Sequence, residues 1–123
     1  MESISTYLNL LKEKGIPLSE INPGSDEVAL TVNDALQALD LLRNSKTAIL
    51  GGDILSEENN ELIYAYKLWG EEYQYLNWYC NKDDNESKID YLQRSYVAAR
   101  DGIINASKKA EQLNRKCYIV FVI

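Results

Sequence analysis

Residues 47–81 read TAILGGDILSEENNELIYAYKLWGEEYQYLNWYCN, and the reading of this stretch decides the fold. It holds three runs rich in β-branched, leucine and aromatic residues, separated by acidic and turn-forming residues. Thr47-Ala48-Ile49-Leu50 is a continuous apolar run, which predicts a strand buried on both faces and leading into Gly51-Gly52-Asp53 and Ile54-Leu55. Ser56 to Asn60 forms a first turn, and Leu62 to Tyr66 a second strand. Trp69 to Glu72 forms a second turn, and Tyr73 to Cys80 a third strand. Alternate strand residues face opposite sides. Asn77 interrupts the set Tyr73, Tyr75, Tyr79, so Leu76, Trp78 and Cys80 are the expected inward set.

The flanking segments read as helices that need a sheet to pack on. Ile4, Tyr7, Leu8 and Leu11 fall at helical spacing over residues 3–14, with Ser3 as N-cap and Gly15 as stop. Residues 15–27 form a loop with a turn at Pro23-Gly24, pinned by Ile16, Leu18 and Ile21. Val28 to Val32 is a strand or the lead-in to a helix. Asn33 or Asp34 caps that helix, which runs to about Asn44 and buries Ala35, Leu36, Leu39 and Leu42, with Ala38 and Leu41 widening the stripe. A polar loop over residues 81–86 precedes a long helix over about 87–113. Its seam is Ile89, Leu92, Tyr96, Ala99, Ile103, Ala106, Ala110 and Leu113, with Gly102 as a site of bending or close contact. Lys116 to Ile123 reads as a buried strand. Joined through the long helix, it is expected to run parallel to the third strand. The expected fold is α+β: one domain over 1–123, a single mixed but mainly antiparallel sheet and three helices, the longest packed on one face.

The chain has 123 residues, enough for one core. It contains no histidine, which removes Ser-His-Asp and Cys-His nucleophile arrangements and His-ligated metal sites. Cys80 and Cys117 read as two buried thiols, and no motif implies a metal or cofactor. No run is apolar enough to span a membrane, and the first residues lack the pattern of a signal peptide, so a cytoplasmic protein is expected. Net charge is −6, and residues 51–90 carry ten acidic and three basic groups. Such a chain is a poor nucleic-acid binder. Its charge suits a basic protein partner, or simple solubility.

Gly51-Gly52-Asp53 reads either as a ligand-approach site or as a bulge or kink that lets a neighbour pack closely. The acidic residues near the turns read as a solvated rim or a partner-binding surface. Tyr64, Tyr66, Trp69, Tyr73, Tyr75, Trp78 and Tyr79 crowd one stretch, and the strand alternation leaves part of this set outside the core. Exposed Tyr and Trp are common interface anchors, though cross-strand pairing can use them equally well. The expected partner-binding residues are Asp53, Glu57, Glu58, Trp69, Glu71, Glu72, Tyr73, Tyr75, Asp83 and Asp84.

A leucine-rich helix from Asp34 to Leu42 precedes Ala48-Ile49-Leu50-Gly51-Gly52-Asp53. Asn77-Trp78-Tyr79-Cys80, a helix with Arg94-Ser95 and Ala98-Ala99-Arg100, and a terminal apolar strand follow. Over residues 28–123 this order resembles the small immunity proteins of bacterial polymorphic toxin systems, most closely the group called immunity protein 40. The resemblance implies a non-enzymatic cytosolic protein that binds a cognate toxin domain and blocks its active site or substrate access. The interface residues above come from charge and aromatic placement, not from the resemblance. Two other readings remain open: a ligand-binding or enzymatic domain with a pocket around Asp53, and a subunit whose aromatic face joins copies of itself. The first reading expects a monomer or weak homo-oligomer.

Overall fold

A computed structural model describes residues 4–123. The expected cap Ser3 lies outside the described residues. The elements are α1 (Ile4–Lys14), β1 (Ile16–Pro17), β2 (Val28–Thr31), α2 (Val32–Asn44), β3 (Gly51–Glu58) and β4 (Glu61–Tyr64). They continue with α3 (Ala65–Trp69), a 3-10 helix (Glu71–Leu76), β5 (Trp78–Tyr79), α4 (Lys88–Leu113) and β6 (Tyr118–Val122). The sheet order is β1-β2-β6-β3-β4, and β5 pairs with β3 beyond the end of β4.

Every strand pairing among the described residues is antiparallel. β5 and β6 run in one direction, as expected, but they are not neighbours: β3 lies between them and opposes both. The strand–helix–strand segment therefore steps over β3, as a crossover of that length allows.

The helices cover one face. Leu30, Ile54, Ile119 and Phe121 point from the sheet into a core completed by Tyr7, Leu10, Ala35, Ala38, Leu39, Leu42, Tyr96, Ala99, Ile103 and Ala106. In α1 the buried positions are Tyr7 and Leu10, while Ile4 and Leu8 are exposed, a rotation of the expected stripe. Thr31 caps α2, its Oγ1 accepting from Asp34 N at 3.2 Å, two or three residues before the expected cap. At the far end Lys46 is left-handed and Thr47 N–H reaches Leu42 O at 3.0 Å, closing the last turn. α4 is unbroken over 26 residues, about 39 Å, with the ends of its expected seam, Ile89 and Leu113, in solvent.

The central stretch departs most from expectation. Residues 47–50 lead into β3: Ile49 N–H turns to the buried Ser95 Oγ at 3.2 Å, and Leu50 then meets both flanking segments, donating to Val122 O and accepting from Cys80 N, each at 2.7 Å. The first turn is Asn59-Asn60, both left-handed, as a two-residue hairpin requires. Residues 65–76, expected to end one strand and begin another, form α3 and the 3-10 helix instead. Tyr and Trp favour strands by propensity, but Ala65, Leu68, Trp69, Tyr73 and Leu76 also fall three and four apart, and burial selects that period. Thus two short helical elements join the three expected helices.

Candidate partner-binding surface

Among the described residues, the opposite face of the sheet carries no helix. Strand register arranges its side chains in rows. Tyr79, Gly51 and Val122 form the row at one rim. Glu27, whose carbonyl accepts from Leu18 N at 3.1 Å, continues that row just ahead of β2. Asp53 and Val120 lie in the next row, and Tyr64, Leu55 and Tyr118 in the row beyond. Leu18 and Ile21 from the loop after β1 pack over Ala29, Leu55 and Val120 and close the far part of this face. At the rim row Tyr79 is 85% exposed and Val122 is also exposed, while Gly51 between them is buried.

Two carboxylates on this face resist ionisation. Burial raises the Asp53 pKa. Burial also raises Glu27, with further repulsion from Asp53 and Asp26. Burial raises the nearby Tyr64 hydroxyl, and Asp53 and Glu27 add to it. Glu57, on the same face, behaves oppositely. Its Oε2 accepts from Lys116 Nζ at 2.8 Å and from the Tyr118 hydroxyl at 3.0 Å, and those bonds lower its pKa.

A second exposed strip runs along α4. Tyr73 lies under Lys109, with Nζ 5.9 Å from its ring centroid; Trp78 lies against Gly102; and Cys80 O accepts from the Tyr91 hydroxyl at 2.7 Å. Segment 71–81 therefore runs antiparallel to the helix. Asn77 Oδ1 accepts Ile54 N–H at 2.8 Å, filling the gap on the β3 edge between β4 and β5. Arg94 fixes the loop that follows. Its guanidinium binds both Glu86 carboxylate oxygens at 2.8 Å and donates to Asn81 O at 2.6 Å. Hydrogen bonds from Arg94 hold the Glu86 pKa down to about 2.

The expected interface residues thus fall in several places. Asp53 and Glu57 share the helix-free face, and Glu58 is exposed at the β3–β4 hairpin. Glu71, Glu72 and Tyr75 are exposed on the 3-10 helix, Tyr75 to 67%, while Asp83 and Asp84 are exposed on the loop before α4. The nearest helix landmarks of these two acidic groups, Lys109 and Arg94, are fifteen residues apart, roughly 22 Å along α4. The acids therefore mark the two ends of a strip rather than one cluster. Trp69 and Tyr73 pack edge to face, centroids 6.1 Å apart, and turn part of their rings into the core. The rings left most open are Tyr75 and Tyr79.

Tyr79, Glu27 and Tyr64 were absent from the expected set. Strand alternation with Trp78 inward already placed Tyr79 outward. Nothing local brings Glu27 to Asp53, because their proximity follows from strand order. Arg94-Ser95, noticed only as part of a pattern, supplies two anchors: Arg94 holds the 81–86 loop and Ser95 holds Ile49. The Gly51-Gly52-Asp53 triplet starts β3, with Gly52 facing the Trp78 indole. No helix among the described residues is long and apolar enough to cross a membrane.

The fold is α+β, an antiparallel sheet backed by helices on one face, with exposed acids and tyrosines along a strip beside α4. The sequence profile of the family described as immunity protein 40 matches residues 17–123. The chain belongs to the immunity protein 40 family. Comparison with curated proteins and with solved structures returns no match.

Proposed function

We propose that the chain is a single immunity-protein domain over residues 1–123 that acts in the cytoplasm by binding and neutralising a cognate toxin domain, without catalysis of its own. The toxin surface it takes is basic, and the chain covers the toxin's active site or substrate groove. Family membership supports the immunity role. The observation that carries the mode of action is the exposure of Tyr75, beside Glu71 and Glu72, and of Tyr79, which faces the side of the sheet that holds Asp53 and Glu57, with Glu58, Asp83 and Asp84 exposed at separate edges. Aromatic rings supply contact area, and acids around them steer a basic partner. Trp69 and Tyr73 support the strip from beneath with their remaining exposed edges.

The reading of Asp53 as a pocket base gains no support from the geometry. Asp53 is half-buried on the sheet face, and the clefts of about 650 and 360 Å3 are lined by other residues. Co-expression with the toxin domain encoded beside this chain's gene tests the proposal. Restored growth and a co-purifying complex are expected. A chain that folds but neither rescues growth nor binds the toxin domain removes it.

A further inference from the structure

The rim row of the helix-free face has the chemistry of an anchor site. Tyr79 and Val122 flank Gly51, which is itself buried, with the Trp78 carbonyl 2.5 Å from where a Cβ would stand, so the accessible surface of the row is the Tyr79 ring and the Val122 side chain. Asp53 is the diagonal neighbour of Tyr79 across the β3–β5 pair, within reach of a long side chain lying on the row. Glu27 closes the row on the other side of Val122. The loop that buries the rest of this face through Leu18 leaves the rim uncovered.

Charge identifies what fits there. Among the described residues neither the Asp53 nor the Glu27 carboxylate has a salt bridge or a side-chain hydrogen bond, whereas Glu57 on the same face has both Lys116 and Tyr118. Both carboxylates are therefore free to take a cation from a partner. A guanidinium suits the geometry better than an ammonium, because it stacks on a tyrosine face and bridges carboxylates.

We infer that the rim row is the docking site for an arginine of the toxin domain, its stem lying against the exposed Tyr79 ring on the Val122 side and its head turned towards Asp53 and Glu27. This inference rests on the toxin-binding reading and locates its centre. The exposed acids at the two ends of the 71–84 strip then act on approach. Burying the tyrosine ring and an ion pair together is the composition of an interface hot spot.

The test uses the purified toxin domain encoded beside this chain's gene, titrated calorimetrically into four proteins: wild type, Tyr79→Ala, Asp53→Asn/Glu27→Gln, and Glu71→Lys/Glu72→Lys. Tyr79→Ala is expected to weaken Kd about 30-fold, as for a hot-spot tyrosine, and Asp53→Asn/Glu27→Gln at least about tenfold. Glu71→Lys/Glu72→Lys is expected to slow association, with the effect fading in high salt. Replacing the toxin's arginines one at a time is expected to find one whose loss is not additive with Asp53→Asn. Wild type that binds while both rim variants bind equally well overturns the anchor and leaves the toxin-binding reading standing. So does the absence of any coupled arginine. Wild type that does not bind overturns both. A free chain that dimerises, and is made monomeric by Tyr79→Ala in sedimentation, assigns the rim to a second copy and also overturns the anchor. Tyr79 is 85% exposed, so the Tyr79→Ala protein keeps its fold, which the thermal midpoint verifies.

Discussion

The indole of Trp78 fills the space that a side chain at Gly52 would need: a Cβ built there overlaps the six-membered ring. On the other side of the same ring a Cβ at Gly102 would stand 2.6 Å from Trp78 Cε3. Phe121 meets the ring edge to face at 6.4 Å between centroids. Two glycines 50 positions apart in sequence thus make one slot, which joins β3, β5 and α4.

Gly52→Ala and Gly102→Ala are therefore each expected to destabilise the fold by about 1–3 kcal/mol, the range for forced overpacking. Urea unfolding measures this. Combined with Trp78→Phe, which shrinks the ring, each alanine is expected to do less harm. Additive losses would show that the glycines serve something other than the ring.

Asn77 carries the edge of β3 where no strand reaches it, through the 2.8 Å bond from Ile54 N–H. Asn77→Ala leaves that amide without its partner and is expected to lower stability by about 1–3 kcal/mol. Faster exchange of the Ile54 amide in NMR, with distant core amides affected only through global unfolding, is the accompanying signature.

Acid sensitivity follows from Glu86. Hydrogen bonds from Arg94 lower its pKa from 4.5 to about 2, so the folded state holds this proton less tightly than the unfolded chain. The stabilisation is complete above the unfolded value and is lost as pH falls from about 4.5 towards 2. Unfolding midpoints of Glu86→Gln and wild type are expected to differ most near neutral pH and to converge across that window. A constant difference would contradict the assignment.

Asp53 has the opposite sign. Burial raises its pKa, so its charged form opposes folding at neutral pH and protonation relieves the strain. Asp53→Asn is expected to raise the thermal midpoint of the free chain at pH 7 and to bring it closer to that of wild type at low pH. A stabilising substitution that weakens toxin binding is the trade expected of a functional carboxylate.

The outward charges of the strip are expected to act on rate. Reversing Glu71, Glu72, Asp83 and Asp84 to lysine should slow association with a basic toxin by about tenfold at low salt, with little change in dissociation. The loss should shrink at high salt, where the screening length falls to a few ångströms. Stopped-flow kinetics separates the two rates.

What the sequence made legible was what local period and alternation determine. The stripe of α2, the long seam of α4, the apolar β6 and the inward set Leu76, Trp78 and Cys80 were all readable. Residues 65–76 were not, because Ala65, Trp69 and Tyr73 satisfy a helical period while their neighbours satisfy β propensity, and only the packing chooses. The partners of β3 were hidden for another reason. Placing β6 between β2 and β3 sets the Glu27–Asp53 neighbourhood, and strand order is a long-range property. Tyr79 was visible as an outward residue, but its place at an uncovered rim beside two unpaired acids depended on that same order.

Side-chain footprinting with hydroxyl radicals, on the free chain and on its complex with the toxin domain, tests most directly whether the toxin covers this surface. The account predicts that Tyr75 and Tyr79, both open in the free chain, lose reactivity in the complex, with Tyr79 protected most. A stable complex in which both rings react as fast as in the free chain would contradict it.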